Sequence, residues 1–101
     1  MNKVVIAAIA ACSMISQVQA SDVKAGEELG KSVCAGCHGA DGVSPTPMWP
    51  NLKAQKAQYL VKQLEAFKAG TRKDQMMEPI ASALTQKQID DVAAYFASFK
   101  P

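Results

Sequence analysis

The chain has 101 residues, of which 49% are hydrophobic and 20% charged, and its formal net charge is +2. This length allows one small domain, and a charge so near neutrality gives no indication of nucleic-acid binding. A domain of this size buries only a modest part of its surface, so its fold usually needs a staple such as a disulfide, a metal or a covalent cofactor.

Residues 1–20 are predicted to form a secretory signal peptide that is removed from the mature protein. Lys3 precedes a short apolar run, and Val18-Gln19-Ala20 supplies a small-residue cleavage site. The apolar run is far below the ~20 residues that span a bilayer. We therefore expect the mature chain, residues 21–101, to be a single domain in the periplasm. The alternative is a lipid anchor at Cys12, but the apolar run before that cysteine is short for a lipoprotein signal.

The first predicted helix of the mature chain begins at about Asp22 and reaches the region of Cys34. Its candidate core contacts are Val23, Leu29 and Val33. The helix leads directly into Cys34-Ala35-Gly36-Cys37-His38, which has the C-x-x-C-H pattern of a c-type haem attachment site. Two thiols at this spacing can reach the two vinyl groups of one porphyrin, and the following imidazole can be an axial ligand of the iron. The pattern therefore predicts one covalent haem.

Three other uses of these residues fit less well. A thioredoxin-type dithiol expects a βαβ context, and no β-branched apolar run follows residue 21. A structural zinc site needs four ligands, whereas the chain has three cysteines and one histidine, and Cys12 leaves with the signal peptide. A disulfide between Cys34 and Cys37 leaves His38 without a role.

Residues 39–55, which contain three prolines around Trp49, are predicted to form a shaped loop. A second helix follows from about Lys56 to Ala69, and Gly70 ends it in the usual C-terminal position. Its apolar residues recur at helical spacing and comprise Leu60, Leu64 and Phe67.

The polar loop 70–78 contains two adjacent methionines, Met76 and Met77. Because His38 fills only one axial position, a thioether can complete a Met/His pair that raises the reduction potential. In extended backbone two adjacent side chains point to opposite sides, so only one of them should be the ligand. Met48 is assigned to loop packing beside Trp49.

The last helix is predicted from Gln86 to Phe99, after a short helical turn that Pro79 opens. Thr85 and Gln88 make a capping box at its start. One stripe of this helix is apolar and consists of Ile89, Val92, Ala93 and Phe96.

Over residues 22–100 the sequence resembles class I c-type cytochromes, and among them the small periplasmic cytochromes whose larger members carry two haem domains in tandem. The resemblance implies an all-α fold, with three main helices and a short helical turn around one covalent haem c. The segments that carry it are Cys34-Ala35-Gly36-Cys37-His38-Gly39, Pro47-Met48-Trp49-Pro50-Asn51-Leu52, Tyr59-Leu60-Val61-Lys62-Gln63-Leu64 and Ile89-Asp90-Asp91-Val92-Ala93-Ala94-Tyr95-Phe96.

The same resemblance implies roles for individual residues. The family spacing back from the residue that starts the last helix implies Met77 as the axial ligand, with Met76 as the alternative. It also implies that a proline carbonyl accepts a hydrogen bond from His38; Pro47 is the better match and Pro45 the second. Trp49 is expected in the haem pocket.

Two glycines are also compared with the family pattern. Gly26 matches the small residue that lets the first and last helices cross closely, next to Tyr95 or Phe96. Gly30 departs from the pattern, since many relatives carry an aromatic residue there.

A haem with both axial positions filled by protein has no position for a substrate, so the sequence predicts a one-electron carrier rather than an enzyme. The alternatives are a haem enzyme or sensor, whose displaceable methionine lets peroxide or a gas bind, and the cytochrome subunit of a dehydrogenase complex. The expected partners are a redox protein donor and acceptor, such as membrane respiratory complexes or periplasmic reductases. No nucleic acid, no stable membrane insertion and a monomeric state are expected.

Overall fold

The computed structural model describes residues 20–101, and within this range it contains helices and no strand. Residues 1–19, which hold Cys12 and all but the last residue of the predicted signal peptide, lie outside the described part. The predicted all-α fold is confirmed. In chain order the elements are α1 (Val23–Leu29), a π-helical turn (Gly30–Cys34), α2 (Ala35–His38), α3 (Ala57–Ala69), α4 (Met77–Ser82) and α5 (Gln86–Ala97).

The first helical stretch begins where the Asp22 side chain accepts hydrogen bonds from the N–H groups of residues 24 and 25. It does not continue as one regular helix, because the π-helical turn widens it before α2 carries it on to His38. The prediction that Val23 belongs to the core is wrong, since this residue is 45% exposed. Val33 lines the apolar cavity that is described below. Leu29 does pack against the core.

Helices α3 and α5 lie close to their predicted limits. Helix α3 ends at Gly70, whose φ of 78° is the left-handed conformation that favours glycine. The predicted capping box at the start of α5 is present, with both Thr85 and Gln88 side chains bonded to backbone N–H groups. The apolar stripe of α5 is buried to 2% exposure or less and forms much of the core: Ile89, Val92, Ala93 and Phe96.

Helices α1 and α5 cross at Gly26, as the family resemblance implies. A Cβ added at Gly26 would overlap the backbone carbonyl of Asp91 and lie 3.0 Å from the Cβ of Tyr95. A Cβ added at Gly30, one turn further along, would lie 3.1 Å from the Tyr95 ring. That ring already fills the space beside residue 30, which explains why this chain has no aromatic side chain there.

A buried carboxylate joins the same two helices. Asp91 on α5 accepts a hydrogen bond from the backbone N–H of Asp22 at 2.8 Å and another from Lys87 Nζ at 2.7 Å. Burial alone would raise the pKa of this carboxyl, but the hydrogen bond from Lys87, the hydrogen bond from Asp22 and the lysine charge outweigh it. The net result is a lowered pKa, and Asp91 is a charged tie between the start of α1 and α5.

Candidate haem site

The largely apolar cavity between the C-x-x-C-H segment and helices α3, α4 and α5 has a volume of about 320 Å³. Six of the candidate site residues line it together, although the first and the last of them are more than 40 positions apart in the chain. These residues are Cys34, Cys37, His38, Trp49, Met76 and Met77. The fold therefore brings the two thiols, the imidazole and both candidate thioethers to one place.

The imidazole of His38 is buried and held in one orientation. Its Nδ1 lies 2.8 Å from the carbonyl oxygen of Pro50. Because a carbonyl oxygen can only accept, Nδ1 carries the proton and Nε2 keeps its lone pair. The Nε2 atom forms no hydrogen bond within the protein. Every buried side-chain nitrogen or oxygen among residues 20–101 has a hydrogen-bond partner, so Nε2 is not buried and is open to the cavity. This arrangement suits coordination of a metal by Nε2.

The proline that accepts this hydrogen bond is Pro50, so the assignment of that role to Pro47 or Pro45 is wrong. Pro47 does not line the haem cavity and borders a separate depression, together with residues 44–46, Trp49 and Asn51. The cause is the closure of the loop at its far end, where the N–H groups of residues 52 and 53 both donate to the carbonyl of Gly42. This closure turns the chain back against the imidazole at Pro50.

The two thiols are partly buried and are not joined in a disulfide. Burial raises the pKa of the Cys34 thiol to about 11, so at neutral pH it is protonated. A redox-active C-x-x-C needs the opposite shift, toward a thiolate. In the part of the chain that the structure describes, no three histidine, cysteine or acidic side chains form a potential metal site. The dithiol and zinc interpretations therefore lack the chemistry that each requires.

The prediction that Met76 and Met77 lie in extended backbone is wrong. Helix α4 begins at Met77, and Met76 directly precedes it with helical φ and ψ angles. Successive residues of a helix are rotated by about 100°, not 180°, and both side chains line the cavity. Met76 is 50% exposed and Met77 is half-buried. The argument from extended backbone thus does not apply, and the choice of Met77 rests on the family spacing.

The residues of the cavity fit a covalently bound haem. Four of the six large hydrophobic residues that are exposed in the described part line this cavity, namely Val33, Met48, Tyr59 and Met76. A concentration of exposed apolar surface indicates a binding site, and a porphyrin has the apolar faces to cover it. The two thiols can attach it, and the imidazole with a thioether can complete the coordination of its iron.

Two polar residues of the loop before α4, Arg72 and Asp74, also line the cavity, and Asp74 is not among the residues that the sequence motifs indicate. Arg72 donates from Nη1 to Gln63 Oε1 at 2.6 Å, and its guanidinium lies 4.5 Å from the centre of the Phe67 ring. Asp74 accepts hydrogen bonds from two backbone N–H groups at the start of α4. An aspartate shortly before a helix is a recognisable capping signal, so Asp74 could have been found from the sequence.

Comparison with known proteins agrees with this site. The family model described as cytochrome c matches residues 23–100. The chain belongs to the cytochrome c family. Covalently bound haem c is the cofactor of this family and hence of this chain. In residues 20–101 no helix has both the length and the apolar character needed to cross a membrane.

Among curated cytochromes, the chain is similar to cytochrome c4 of Thiocapsa roseopersicina, with 44% identity over 80 residues that cover 79% of this chain and 41% of the relative. It is also similar to cytochrome c-554(548) of Halomonas halodenitrificans, with 41% identity over 82 residues that cover 78% of this chain and 98% of the relative. The crystal structure of reduced recombinant cytochrome c4 from Pseudomonas stutzeri superposes with a TM-score of 0.74 at 40% identity, over 80% of this chain and 47% of that one. The chain thus spans about half the length of the cytochromes c4 that it matches.

Proposed function

We propose that this cytochrome c domain carries single electrons between redox proteins of the periplasm. In this proposal Cys34 and Cys37 would attach haem c, and His38 and Met77 would bind its iron. The observation that carries it is the imidazole of His38, which Pro50 orients so that Nε2 opens into the cavity that both methionines line. Bound haem supplies an iron that changes between the ferric and ferrous states by one electron.

The protein residues make this site suited to electron transfer rather than to substrate chemistry. Two protein ligands leave the iron without a free position, and a thioether ligand favours the ferrous state. The wall of the site is largely apolar and includes Leu64, Val92 and Phe96. The wall contains no second histidine, because the chain has one.

The donor and the acceptor are proposed to be redox proteins, such as membrane respiratory complexes or periplasmic reductases. A brief encounter with such partners needs only a small interface, with a polar rim that steers association. A periplasmic location follows from the signal peptide predicted in residues 1–20, and a monomer needs no further contact to complete the site.

The test compares Met77→Ala with Met76→Ala in the haem-loaded protein. We expect Met77→Ala to lower the reduction potential by on the order of 0.1 V, a fraction of the roughly 0.8 V range that axial ligands span. It should also open the iron to cyanide and carbon monoxide. Met76→Ala, one residue away, should change both properties little and is the matched control.

Two results would change the proposal. If Met76→Ala has the large effects and Met77→Ala the small ones, Met76 is the ligand. If the unaltered protein already binds carbon monoxide readily, the iron has an open position, and the haem enzyme or sensor alternative replaces the carrier. Stable co-purification with a dehydrogenase would identify the domain as a subunit of that complex.

A further inference from the structure

We propose that Asp74 is a positioning residue for the methionine ligand, an inference that rests on the proposed Met77 ligation. A single carboxylate oxygen, Asp74 Oδ2, accepts hydrogen bonds from the backbone N–H of Met76 at 3.0 Å and from the N–H of Met77 at 2.8 Å. Both candidate ligands are therefore held at the backbone by the same side chain. Asp74 itself lines the haem cavity beside them.

Asp74 and Glu78 are joined by reciprocal hydrogen bonds at the start of α4. The carboxylate of Glu78 accepts from the N–H of Asp74 at 2.9 Å, and the N–H of Glu78 donates to the carbonyl of Asp74 at 3.0 Å. The first N–H groups of a helix have no partner within the helix, and here Asp74 supplies the acceptor for those of both methionines. The turn that carries both methionines is thus fixed by hydrogen bonds at Asp74 and at Glu78.

This support matters because α4 is short. It has six residues, and a helix of that length does not hold its first turn by its own hydrogen bonds in water. Without the Asp74 carboxylate the first turn of α4 should fray. A frayed turn presents the thioether less often, so an added ligand competes for the iron more easily.

Asp22 provides a matched control at another helix. Its Oδ1 accepts from the N–H groups of Lys24 at 3.0 Å and Ala25 at 3.2 Å, two and three positions ahead, as Asp74 does. Neither Asp22 nor these partners line the haem cavity. Asp22→Ala therefore removes two hydrogen bonds of the same pattern, from the N–H groups two and three positions ahead, at a place remote from the methionines.

The experiment uses the ferric, haem-loaded protein and compares Asp74→Ala, Asp74→Asn and Asp22→Ala with the unaltered chain. The weak thioether-to-iron absorption at the red end of the visible spectrum reports the methionine bond, and imidazole titration reports how easily that bond is displaced. We expect Asp74→Ala to weaken the band and to bind imidazole ~5-fold more tightly, which corresponds to the loss of one helix cap. Asp74→Asn keeps an acceptor oxygen and should have the absorption band and the imidazole affinity of the unaltered protein. Asp22→Ala should change neither property.

Equal imidazole affinity in Asp74→Ala and Asp22→Ala would overturn the inference and leave the methionine ligation standing. Absence of the band from the unaltered protein would overturn the proposed ligation and this inference with it. If Asp74→Ala loads no haem, Asp74→Glu serves instead, because it moves the carboxylate by one methylene. An Asp74→Glu protein with unchanged imidazole affinity would likewise contradict the role of Asp74.

Discussion

At Gly26 the backbones of α1 and α5 approach too closely for any side chain. A Cβ would overlap the backbone carbonyl group of Asp91, at the middle of a helix, and would lie 3.0 Å from the Cβ of Tyr95. Neither of these can rotate aside as the end of a flexible side chain can. The close approach also brings Asp22 and Asp91 within hydrogen-bond distance.

Gly26→Ala should therefore force the two helices apart and lower the free energy of unfolding by about 3 kcal/mol, the upper end of the usual cost of overpacking. Gly36→Ala is the control, because no protein atom beyond its chain neighbours and its own helix backbone lies within 4 Å of a Cβ added there. Denaturant unfolding of the two haem-loaded variants measures the difference. Equal stability of the two would show that α1 and α5 do not need this contact.

At single residues the sequence predicts well only where the chemistry is local. The order of Cys34, Cys37 and His38 reveals a haem site because the spacing itself is the chemical requirement. The carbonyl that meets the imidazole is decided by the closure of a loop, and so Pro50 takes the role that was assigned to Pro47. The positions of the prolines along the sequence do not show which carbonyl the loop closure brings to His38.

The secondary-structure elements likewise divide into those that local sequence signals predict and those that depend on contacts between distant parts of the chain. The limits of α3 and α5 were predictable because Gly70 and the Thr85–Gln88 capping box are local signals. The π-helical turn and the start of α4 were not predicted. The π-helical turn begins at Gly30, whose backbone packs against the Tyr95 ring, a contact between distant parts of the chain. Such contacts override the local periodicity.

The hydrogen bonds of Asp91, which join α1 and α5, should make the free energy of unfolding depend on pH. The folded protein lowers the pKa of Asp91 through its hydrogen bonds with Lys87 and Asp22, so the unfolded chain takes up this proton first. The stabilisation is present above the unfolded pKa of about 3.9. It is lost as the pH falls from there through the lowered folded pKa.

Asp91→Asn should reduce the free energy of unfolding at pH 7 by about 1–2 kcal/mol, the contribution of hydrogen bonds to a charged group. It should also flatten the loss of stability on going to acid. Unfolding measured at several pH values between neutrality and strong acid checks both effects, and Lys87→Gln should give part of them. An equal loss at all pH values would contradict the charged tie.

For the molecule as a whole, the haem is the staple that so small a domain needs. Its cavity is bordered by core residues, among them Leu60, Val92 and Phe96. Without the cofactor the apolar side chains that border this cavity would face water, so part of the hydrophobic burial that stabilises the core would be lost. That loss is serious in a domain whose total stability is small.

The double variant Cys34→Ser, Cys37→Ser should therefore lose covalent haem and most of its helical structure together. Far-ultraviolet circular dichroism and thermal melting, compared with the haem-loaded protein, measure this. A haem-free double variant with native helix content and a cooperative melt would show that the core closes without the cofactor.

The measurement that tests the account most directly is a redox titration of the unaltered haem-loaded protein followed by its visible spectrum. We expect a single one-electron transition, a ferric thioether band that disappears on reduction, and a ferrous protein that does not take up carbon monoxide. A spectrum without the thioether band, or immediate binding of carbon monoxide by the reduced protein, would contradict ligation by His38 and a methionine, and with it the proposed role as an electron carrier.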